Sequence, residues 1–192
     1  MKYTTHFIIY TLEDQTVNEY VQVIGKCKDL FAKKTKDYGT AWRILRLPSI
    51  TDQIFIKAQR IRSIQEKGDQ KIADNIVDEF VGIINYCIIA IIQEKLIDSN
   101  ELEISYEEIA PLYDTIAKET MDLLRDKNHD YGEAWREMRV ESMTDIILMK
   151  LKRTKQIEDN KGKTLVSEGV RANYQDMINY AVFCLIKLDF HL

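Results

Sequence analysis

Apolar residues recur every three to four positions along most of the chain, with polar and charged residues between them. Within 17–36, for example, Tyr20, Ile24 and Phe31 would share one side of a helix with 3.6 residues per turn. The strict alternation of apolar and polar residues that is typical of a half-buried strand is almost absent. The pattern therefore predicts an all-α protein.

The two halves of the chain resemble each other in sequence. Residues 34–57 and 127–150 are identical at 13 of 24 positions, at an offset of 93 residues. After a one-residue insertion, the Asn-Tyr pair at 85–86 recurs at 179–180. Similarity over this length indicates a tandem duplication inside the chain.

The duplication predicts the domain organisation. We expect a first repeat over 1–97 and a second repeat over 104–192, separated by a short polar segment. A three-helix repeat alone would leave apolar faces exposed to water. We therefore expect the two repeats to pack about a pseudo-twofold axis into one globular helical bundle.

Each repeat is predicted to contain three helices. Gly39 and Gly132 follow Asp-Tyr pairs and can adopt the positive φ that ends a helix. Ser105 and Glu108 have the spacing of a capping box, in which both side chains bond to backbone at a helix start. The first helices are predicted at about 17–36 and 106–128, the second from capping boxes at Ser49-x-x-Asp52 and Ser142-x-x-Asp145, and the third at about 70–96 and 165–188.

Composition narrows the class of protein. The 27 Lys and Arg against 31 Asp and Glu give a net charge of -4, which argues against a protein that grips a nucleic-acid backbone. The three cysteines are far apart in apolar helical stretches, so neither disulfides nor a zinc site is expected. The longest apolar run, 81–92, is too short to span a bilayer. We expect a cytoplasmic protein without a membrane partner.

Acidic residues of the third helices are candidates for a metal site. When the Asn-Tyr pairs are aligned, three positions four residues apart share one helix face in each repeat. They hold Asp, Asp and Gly in the first repeat and Glu, Ala and Asp in the second, so each repeat lacks an acid that the other has. Carboxylate oxygens suit Mg²⁺. The predicted metal ligands are Asp74, Asp78, Glu168 and Asp176, with the last three also orienting the catalytic water and Glu79 as an extra acid near the rim. The alternative is a solvated acidic helix face.

Basic residues of the second helices are candidates for phosphate binding. Lys and Arg three residues apart share one face of a helix, and both repeats carry such a pair. The predicted phosphate-binding residues are Lys57, Arg60, Lys150 and Arg153. The alternative is a set of surface cations paired with the acidic third helices.

The block Lys-x-x-Asp-Tyr-Gly-x-Ala-Trp-Arg occurs once in each repeat. The aspartate could bind a ligand or close the turn on Arg43 or Arg136, and the tyrosine could stack on a base. The tryptophans are expected in the core. The candidate substrate-binding residues are Lys34, Asp37 and Tyr38 in the first repeat and Lys127, Asp130 and Tyr131 in the second. Asn85 and Asn179 are flanked by apolar residues and need hydrogen bonds, either to order a carboxylate or to join two helices.

These motifs resemble the nucleotide-modification-associated domain 1 family, once per repeat and over nearly the whole chain. The acidic third helix is similar, more loosely, to that of MazG-like all-α nucleoside triphosphate pyrophosphohydrolases. The latter bind Mg²⁺ through carboxylates of neighbouring helices and cleave between the α and β phosphates with an activated water. The resemblance implies the same roles for the acids named above, although Gly82 and Ala172 each delete one acidic position.

Three functions remain open from the sequence. The leading hypothesis is a Mg²⁺-dependent nucleotide-binding protein with pyrophosphohydrolase activity in nucleotide metabolism or modification. The second is a non-catalytic nucleotide-binding module, and the third is a protein-interaction module. The expected partner is a nucleotide or another phosphorylated small molecule, with a further homodimer as an open alternative.

Overall fold

The computed structural model describes residues 3–68, 75–166 and 168–190, with the backbone alone for 3–14 and 129–131. Six α-helices and two short 3-10 helices are present, and no strand occurs in these ranges. The helices are α1 Tyr3–Tyr38, α2 Leu47–Lys67, α3 Ile76–Lys95, α4 Tyr106–Tyr131, α5 Val140–Asp159 and α6 Val170–Lys187, and the 3-10 helices are Ala41–Ile44 and Ala134–Glu137. The all-α prediction is confirmed.

Glycine ends the first helix of each repeat, as predicted. Gly39 has φ 63° and Gly132 has φ 64°, and their N–H groups donate to the carbonyls of Thr35 (2.9 Å) and Asn128 (2.8 Å). The predicted capping box at Ser105 is also confirmed, since its side chain accepts from the N–H of Glu108. These termini depend only on nearby residues, which is why sequence patterns identify them.

The second helices start earlier than predicted. α2 begins at Leu47, with Pro48 in its first turn, where the missing N–H of proline costs nothing. The N–H of Ile50 already donates to the carbonyl of Arg46 (3.2 Å), four residues back. The capping boxes predicted at Ser49 and Ser142 are therefore wrong.

The third helix of the first repeat, α3, extends beyond the apolar run 81–92 at both ends. α3 has 20 residues and is long and apolar enough to cross a membrane by length and composition. However, 72% of its most apolar window is buried inside the fold, as is typical of the core helix of a soluble protein. The helix that contains the run 81–92 is therefore longer than the run itself, and most of its apolar window lies inside the fold.

The two repeats pack about a pseudo-twofold axis. Each helix contacts its counterpart, α1 with α4, α2 with α5 and α3 with α6. One hydrophobic core contains residues of both repeats, including the three buried free cysteines. Polar contacts repeat at the same offset across α2 and α5: Lys155 with Asp52 at 2.6 Å and Arg62 with Asp145 at 3.6 Å, and Thr51 with Glu158 at 2.7 Å and Gln65 with Thr144 at 3.1 Å.

The buried residues Asn85 and Asn179 join helices of opposite repeats. The Tyr113 hydroxyl in the second repeat donates to Asn85 Oδ1 (2.8 Å), and the Tyr20 hydroxyl in the first repeat donates to Asn179 Oδ1 (2.9 Å). Asn85 also donates to the carbonyl of Cys27 (3.0 Å). Of the two roles considered for these residues, joining helices is confirmed.

Candidate functional site

The predicted metal ligands do not come together. Asp78, Glu168 and Asp176 lie in the described ranges, but no three His, Cys, Asp or Glu side chains there are close enough to hold one ion. Asp74 lies outside the described residues. A shared face on each helix is therefore not enough to bring the carboxylates of the two repeats to one point.

Asp78 has a structural role at the start of α3. It is exposed, and its carboxylate accepts from the N–H of Asn75 (3.3 Å), while the Asn75 side chain accepts from the N–H of Asp78 (3.1 Å). This reciprocal pair is a capping box with an Asn-x-x-Asp sequence. The residue predicted as a metal ligand thus stabilises a helix terminus.

Asp176 is buried on α6 between two lysines. Its carboxylate pairs with Lys127 of α4 (2.7 Å) and with Lys150 of α5. Burial opposes ionisation of this carboxyl, but the hydrogen bonds and charges of the two lysines outweigh it and hold its pKa below the ordinary value. Both oxygens already bind ammonium groups, so this donor set does not fit Mg²⁺.

Glu79 is the acid of the first repeat that reaches the cations. It is only 6% exposed and pairs with Lys57 (3.2 Å) and Arg60 of α2. From the sequence, Glu79 is predicted only as an extra acid near the rim. The signal available was helical spacing, because the apolar residue Ile83 is four positions later and shares the face of Glu79.

The two repeats keep their acid at different positions. Gly82 of α3 corresponds to Asp176 of α6, and Glu79 corresponds to Asn173. Each repeat thus has one buried acid that holds two cations. Among the predicted phosphate-binding residues, Lys57, Arg60 and Lys150 follow the alternative of cations paired with the third helices.

One candidate cation in each repeat is left over. Lys34 and Arg153 are exposed, and neither has an ion pair or a side-chain hydrogen bond with a described residue. Their counterparts are both engaged, Lys127 by Asp176 and Arg60 by Glu79. The difference follows directly from the shifted position of the acid.

Lys34 lines a pocket of about 290 Å³ at the end of α1, which we call the Lys34 pocket. The Lys-x-x-Asp-Tyr-Gly block and the Asn-Tyr pair meet there, although 45 or more residues separate them. Its lining is mostly apolar and aromatic: Phe31, Lys34, Thr35, Tyr38, Gly39, Ala41, Trp42, Leu45, Asn85, Tyr86 and Ile89. Asp37 is exposed and is not part of this lining.

The aromatic rings offer the main recognition surface of the Lys34 pocket. Tyr38 is 56% exposed, and desolvation raises the pKa of its hydroxyl, with Tyr86 and Asp37 adding to the effect. Lys57 Nζ lies 5.9 Å from the centre of the Tyr86 ring. The amide of Asn85 is already engaged by its hydrogen bonds between helices. The pocket can therefore stack on a flat ring and attract an anion, but provides few polar groups for reading a base edge.

Arg153 lines a second and larger cavity of about 730 Å³, which we call the Arg153 groove. It lies between the end of α5, the loop that follows and the start of α6. Its lining is Lys150, Arg153, Gln156, Ile157, Asn160, Lys163, Thr164, Leu165, Val166, Glu168 and Asn173. Glu168, predicted as a metal ligand, is an exposed residue of this groove and lies among cations.

The remaining motif residues have other partners or lie outside the described side chains. Arg43 does not close the turn on Asp37. It donates to the side chain of Gln93 in α3 and to the backbone carbonyls of Leu96, Ser99 and Glu101. These hydrogen bonds link the segment between the repeats to α3 through Arg43. The side chains of Asp130 and Tyr131 lie outside the described residues.

The tryptophan of the second repeat stacks on Phe183 at 4.2 Å between ring centroids. Trp135 is 5% exposed, so the core prediction is confirmed for it, whereas Trp42 is half-buried against the core and lines the Lys34 pocket.

Comparison with known proteins agrees with the duplicated motifs. The profile of the family described as nucleotide modification associated domain 1 matches the chain twice, at residues 34–93 and 127–188. Searches of curated proteins and of solved structures gave no match. The two matched segments include most of the chain, all six helices in whole or in part, and the described lining of both cavities except Phe31. The chain belongs to the nucleotide modification associated domain 1 family, with two copies of the domain in tandem.

Proposed function

We propose that the protein binds a nucleotide in the Lys34 pocket, with the base against Tyr38 and Tyr86 and the phosphates at Lys34. The observation that carries this proposal is the meeting of two separate family motif blocks around Lys34, which has no acidic partner among the residues that the structure describes. In the second repeat, the corresponding cation Lys127 is already neutralised by Asp176.

The size and lining of the pocket support this ligand class. Small-molecule sites usually enclose roughly 300–1,000 Å³, so a volume of about 290 Å³ suits a base and part of its sugar. Stacking of one base on aromatic side chains contributes about 1–3 kcal/mol. The exposed ammonium of Lys34 would meet the phosphates at the pocket mouth, where they keep most of their hydration.

The absence of a side chain at Gly82 keeps this cation free. The stem of Lys57 covers the place where a Cβ at Gly82 would lie, 2.6 Å from Lys57 Cε. An acid at this position in the second repeat holds both Lys127 and Lys150. Glycine in the first repeat therefore favours a pocket in which a ligand phosphate, rather than a protein carboxylate, meets Lys34.

Magnesium-dependent pyrophosphohydrolase activity stays a prediction. Asp78 and Asp176 are engaged in a helix cap and in two ion pairs, so the described acids do not fit a magnesium site of the protein. In the binding function proposed here, Mg²⁺ would be brought by the phosphates of the nucleotide. Incubation with nucleoside triphosphates and Mg²⁺, with pyrophosphate release as the readout, tests the catalytic version separately.

Thermal unfolding with a panel of nucleoside mono- and triphosphates, with and without Mg²⁺, is the first test. A ligand at a hundred times its dissociation constant stabilises the folded state by about 2.7 kcal/mol. Lys34→Gln should weaken binding at least tenfold. Lys33→Gln is the matched control, because Lys33 is the exposed neighbour on α1 and does not line the pocket. Equal losses in the two variants would contradict the proposal.

A reciprocal substitution gives a sharper test. Gly82→Asp restores the acid of the second repeat, and the flexible end of Lys57 can move to pair with it, as Lys150 pairs with Asp176. The new carboxylate should neutralise Lys34 and Lys57 and abolish nucleotide binding while the protein stays folded. Gly25→Asp, at an exposed position with nothing within 4 Å of a Cβ, is the control. Full binding by a folded Gly82→Asp variant would refute this site, and no binding of any nucleotide to the unaltered protein would favour the interaction module.

A further inference from the structure

The Arg153 groove concentrates positive charge on a protein that is acidic as a whole. Its described lining includes three cations, Lys150, Arg153 and Lys163, of which Lys150 is already paired with Asp176, and one acid, Glu168. The full chain carries a net charge of -4, so this local excess runs against the overall balance. A groove of this charge attracts an anion at short range without a general affinity for polyanions.

Arg153 has no ion pair with a described residue, because the acid that holds its counterpart in the first repeat is replaced in the second. In the first repeat, the corresponding Arg60 pairs with Glu79, but the residue that corresponds to Glu79 in the second repeat is Asn173. Asn173 is 5% exposed and uses its amide N–H to bond the carbonyl of Gly169 (3.0 Å). The guanidinium is thus left facing the groove, and its planar fork can bind two oxygens of one phosphate.

The other groups of the groove indicate which part of a ligand it can recognise. Lys163 has no ion pair with a described residue, and Lys150 shares Asp176 with Lys127. No aromatic ring is part of the described lining, in contrast to the Lys34 pocket. Recognition here rests on charge and hydrogen bonds, which suits phosphate groups and offers no stacking surface for a base.

We infer that the Arg153 groove is a second anion site, separate from the Lys34 pocket, which binds a compact di- or triphosphate group through Arg153 and Lys163. Lys150 also lines the groove and adds to its positive potential, although its ammonium group is paired with Asp176. Its volume of about 730 Å³ accommodates a chain of two or three phosphates with their water. This site goes beyond the proposed nucleotide pocket because neither its lining nor its chemistry depends on that pocket.

Isothermal titration calorimetry with inorganic pyrophosphate and tripolyphosphate at fixed salt tests the inference. Arg153→Gln should weaken tripolyphosphate binding at least tenfold. The matched control is Lys152→Gln, which removes one exposed positive charge from the same helix but not from the lining, and should change affinity less than twofold. Equal losses in both variants would reduce the binding to general charge attraction and overturn the inference.

A second variant reinstates the arrangement of the first repeat. Asn173→Glu should capture Arg153 as Glu79 captures Arg60, and it should abolish tripolyphosphate binding while far-UV circular dichroism stays unchanged. Tight binding by this folded variant would contradict the site. Arg153→Gln keeps the test valid if Asn173→Glu does not fold.

The two anion sites can be separated by crossing variants and ligands. Lys34→Gln and Gly82→Asp should leave tripolyphosphate affinity unchanged, and Arg153→Gln should leave nucleoside monophosphate affinity unchanged. If Lys34→Gln lost tripolyphosphate binding and Arg153→Gln kept it, the second site would be overturned. The proposed nucleotide pocket would not be affected by that result. Failure of nucleotide binding with tripolyphosphate binding preserved would reject only the proposed function.

Discussion

The two repeats have the same three cation positions around the third helix but different acids between them. In the first repeat, Glu79 of α3 holds two cations of α2. In the second, Asp176 of α6 holds one cation of α4 and one of α5. Moving the acid by three positions along the helix thus changes which neighbouring helix it binds and which cation remains for a ligand.

The consequence is a different open surface on each copy. Without an acid at Gly82, the end of α1 is not tied to α3 through Lys34, and an aromatic pocket opens beside it. Without an acid at Asn173, Arg153 faces a wide basic groove. A duplication can therefore diverge in ligand chemistry through two acidic positions while its helices keep their places.

The packing across the axis differs much less between the copies than the charges do. Tyr20 with Asn179 and Tyr113 with Asn85 form the same hydrogen bond in opposite directions. These contacts are buried, where an unsatisfied amide costs more than an altered surface charge. Changes that affect the axis should therefore damage both repeats, whereas changes to one acid should affect one site.

The largest effect is expected from Asp176→Asn. The substitution keeps the shape but leaves Lys127 and the nearly buried Lys150 without a counter-charge, and breaking one partner of a buried pair costs about 3–5 kcal/mol. Because Lys127 is about half exposed, we expect about 3 kcal/mol, which lowers the Tm by roughly 6–12 °C. Chemical denaturation of the variant measures this loss.

The difference in stability between the wild type and Asp176→Asn should disappear at acidic pH. The pKa of Asp176 lies below its ordinary value in the folded state, so its contribution is present above that ordinary value and disappears as pH falls through the folded pKa. Asp122→Asn is the control, because Asp122 forms an exposed i,i+4 pair with Lys118 that contributes about 0.3–0.5 kcal/mol. A loss for Asp176→Asn no larger than that of the control would contradict this account of the second repeat.

A smaller effect is expected from the hydrogen bonds across the axis. Tyr113→Phe removes the donor to Asn85 Oδ1, and Tyr20→Phe removes the donor to Asn179 Oδ1. Each leaves a buried acceptor unsatisfied, so each should lower the free energy of unfolding by about 1–2 kcal/mol. If the two hydrogen bonds contribute equally to stability, urea unfolding should give similar losses in the free energy of unfolding for both variants.

Tyr106→Phe is a suitable control for these two variants, since its half-buried ring packs against the same core and its hydroxyl forms no hydrogen bond with a described residue. A double-mutant cycle of Tyr113→Phe with Asn85→Ala should give a coupling energy of about 1 kcal/mol. Additive losses in that cycle would show that the pair does not join the repeats.

The features that the sequence predicted correctly depend on nearby residues or on the duplication itself. The helical class, the stops at Gly39 and Gly132 and the cap at Ser105 follow from local spacing. The need of Asn85 for hydrogen bonds was also predictable, but its partner Tyr113 was not. That contact depends on how two helices distant in the chain cross.

The described acids of the predicted metal cluster lie apart for the same physical reason. Periodicity tells which residues share a face of one helix, but not which helix covers that face. Asp78 is at the exposed start of α3, whereas Glu79, one residue later, points to the cations of α2. A difference of one residue turns a helical side chain by about 100°, which decides between solvent and an ion pair.

The smallest effect is expected from Glu158→Gln, which gives Glu158 the residue found at the corresponding position of the first repeat, Gln65. Glu158 accepts from Thr51 (2.7 Å) on one side of the axis, while the neutral Gln65 donates to Thr144 (3.1 Å) on the other. Burial raises the pKa of Glu158, with Asp52 and Asp159 adding to the effect, although hydrogen bonds from Thr51 and Tyr174 oppose it. The folded state therefore favours the protonated carboxyl.

Glu158→Gln should consequently stabilise the protein at neutral pH, by no more than about 1 kcal/mol. A folded-state pKa above the ordinary value means that the contribution of the wild-type carboxyl is complete below that ordinary value and is lost as pH rises through the folded pKa. The Tm difference between variant and wild type should thus grow from mildly acidic to neutral pH, and Gln65→Glu should show the opposite trend. A Glu158→Gln variant that is less stable than wild type at neutral pH would contradict this prediction. It would mean that the hydrogen bonds from Thr51 and Tyr174 stabilise the ionised carboxylate by more than its burial costs. The charge difference between Glu158 and Gln65 would then contribute to the stability of the fold.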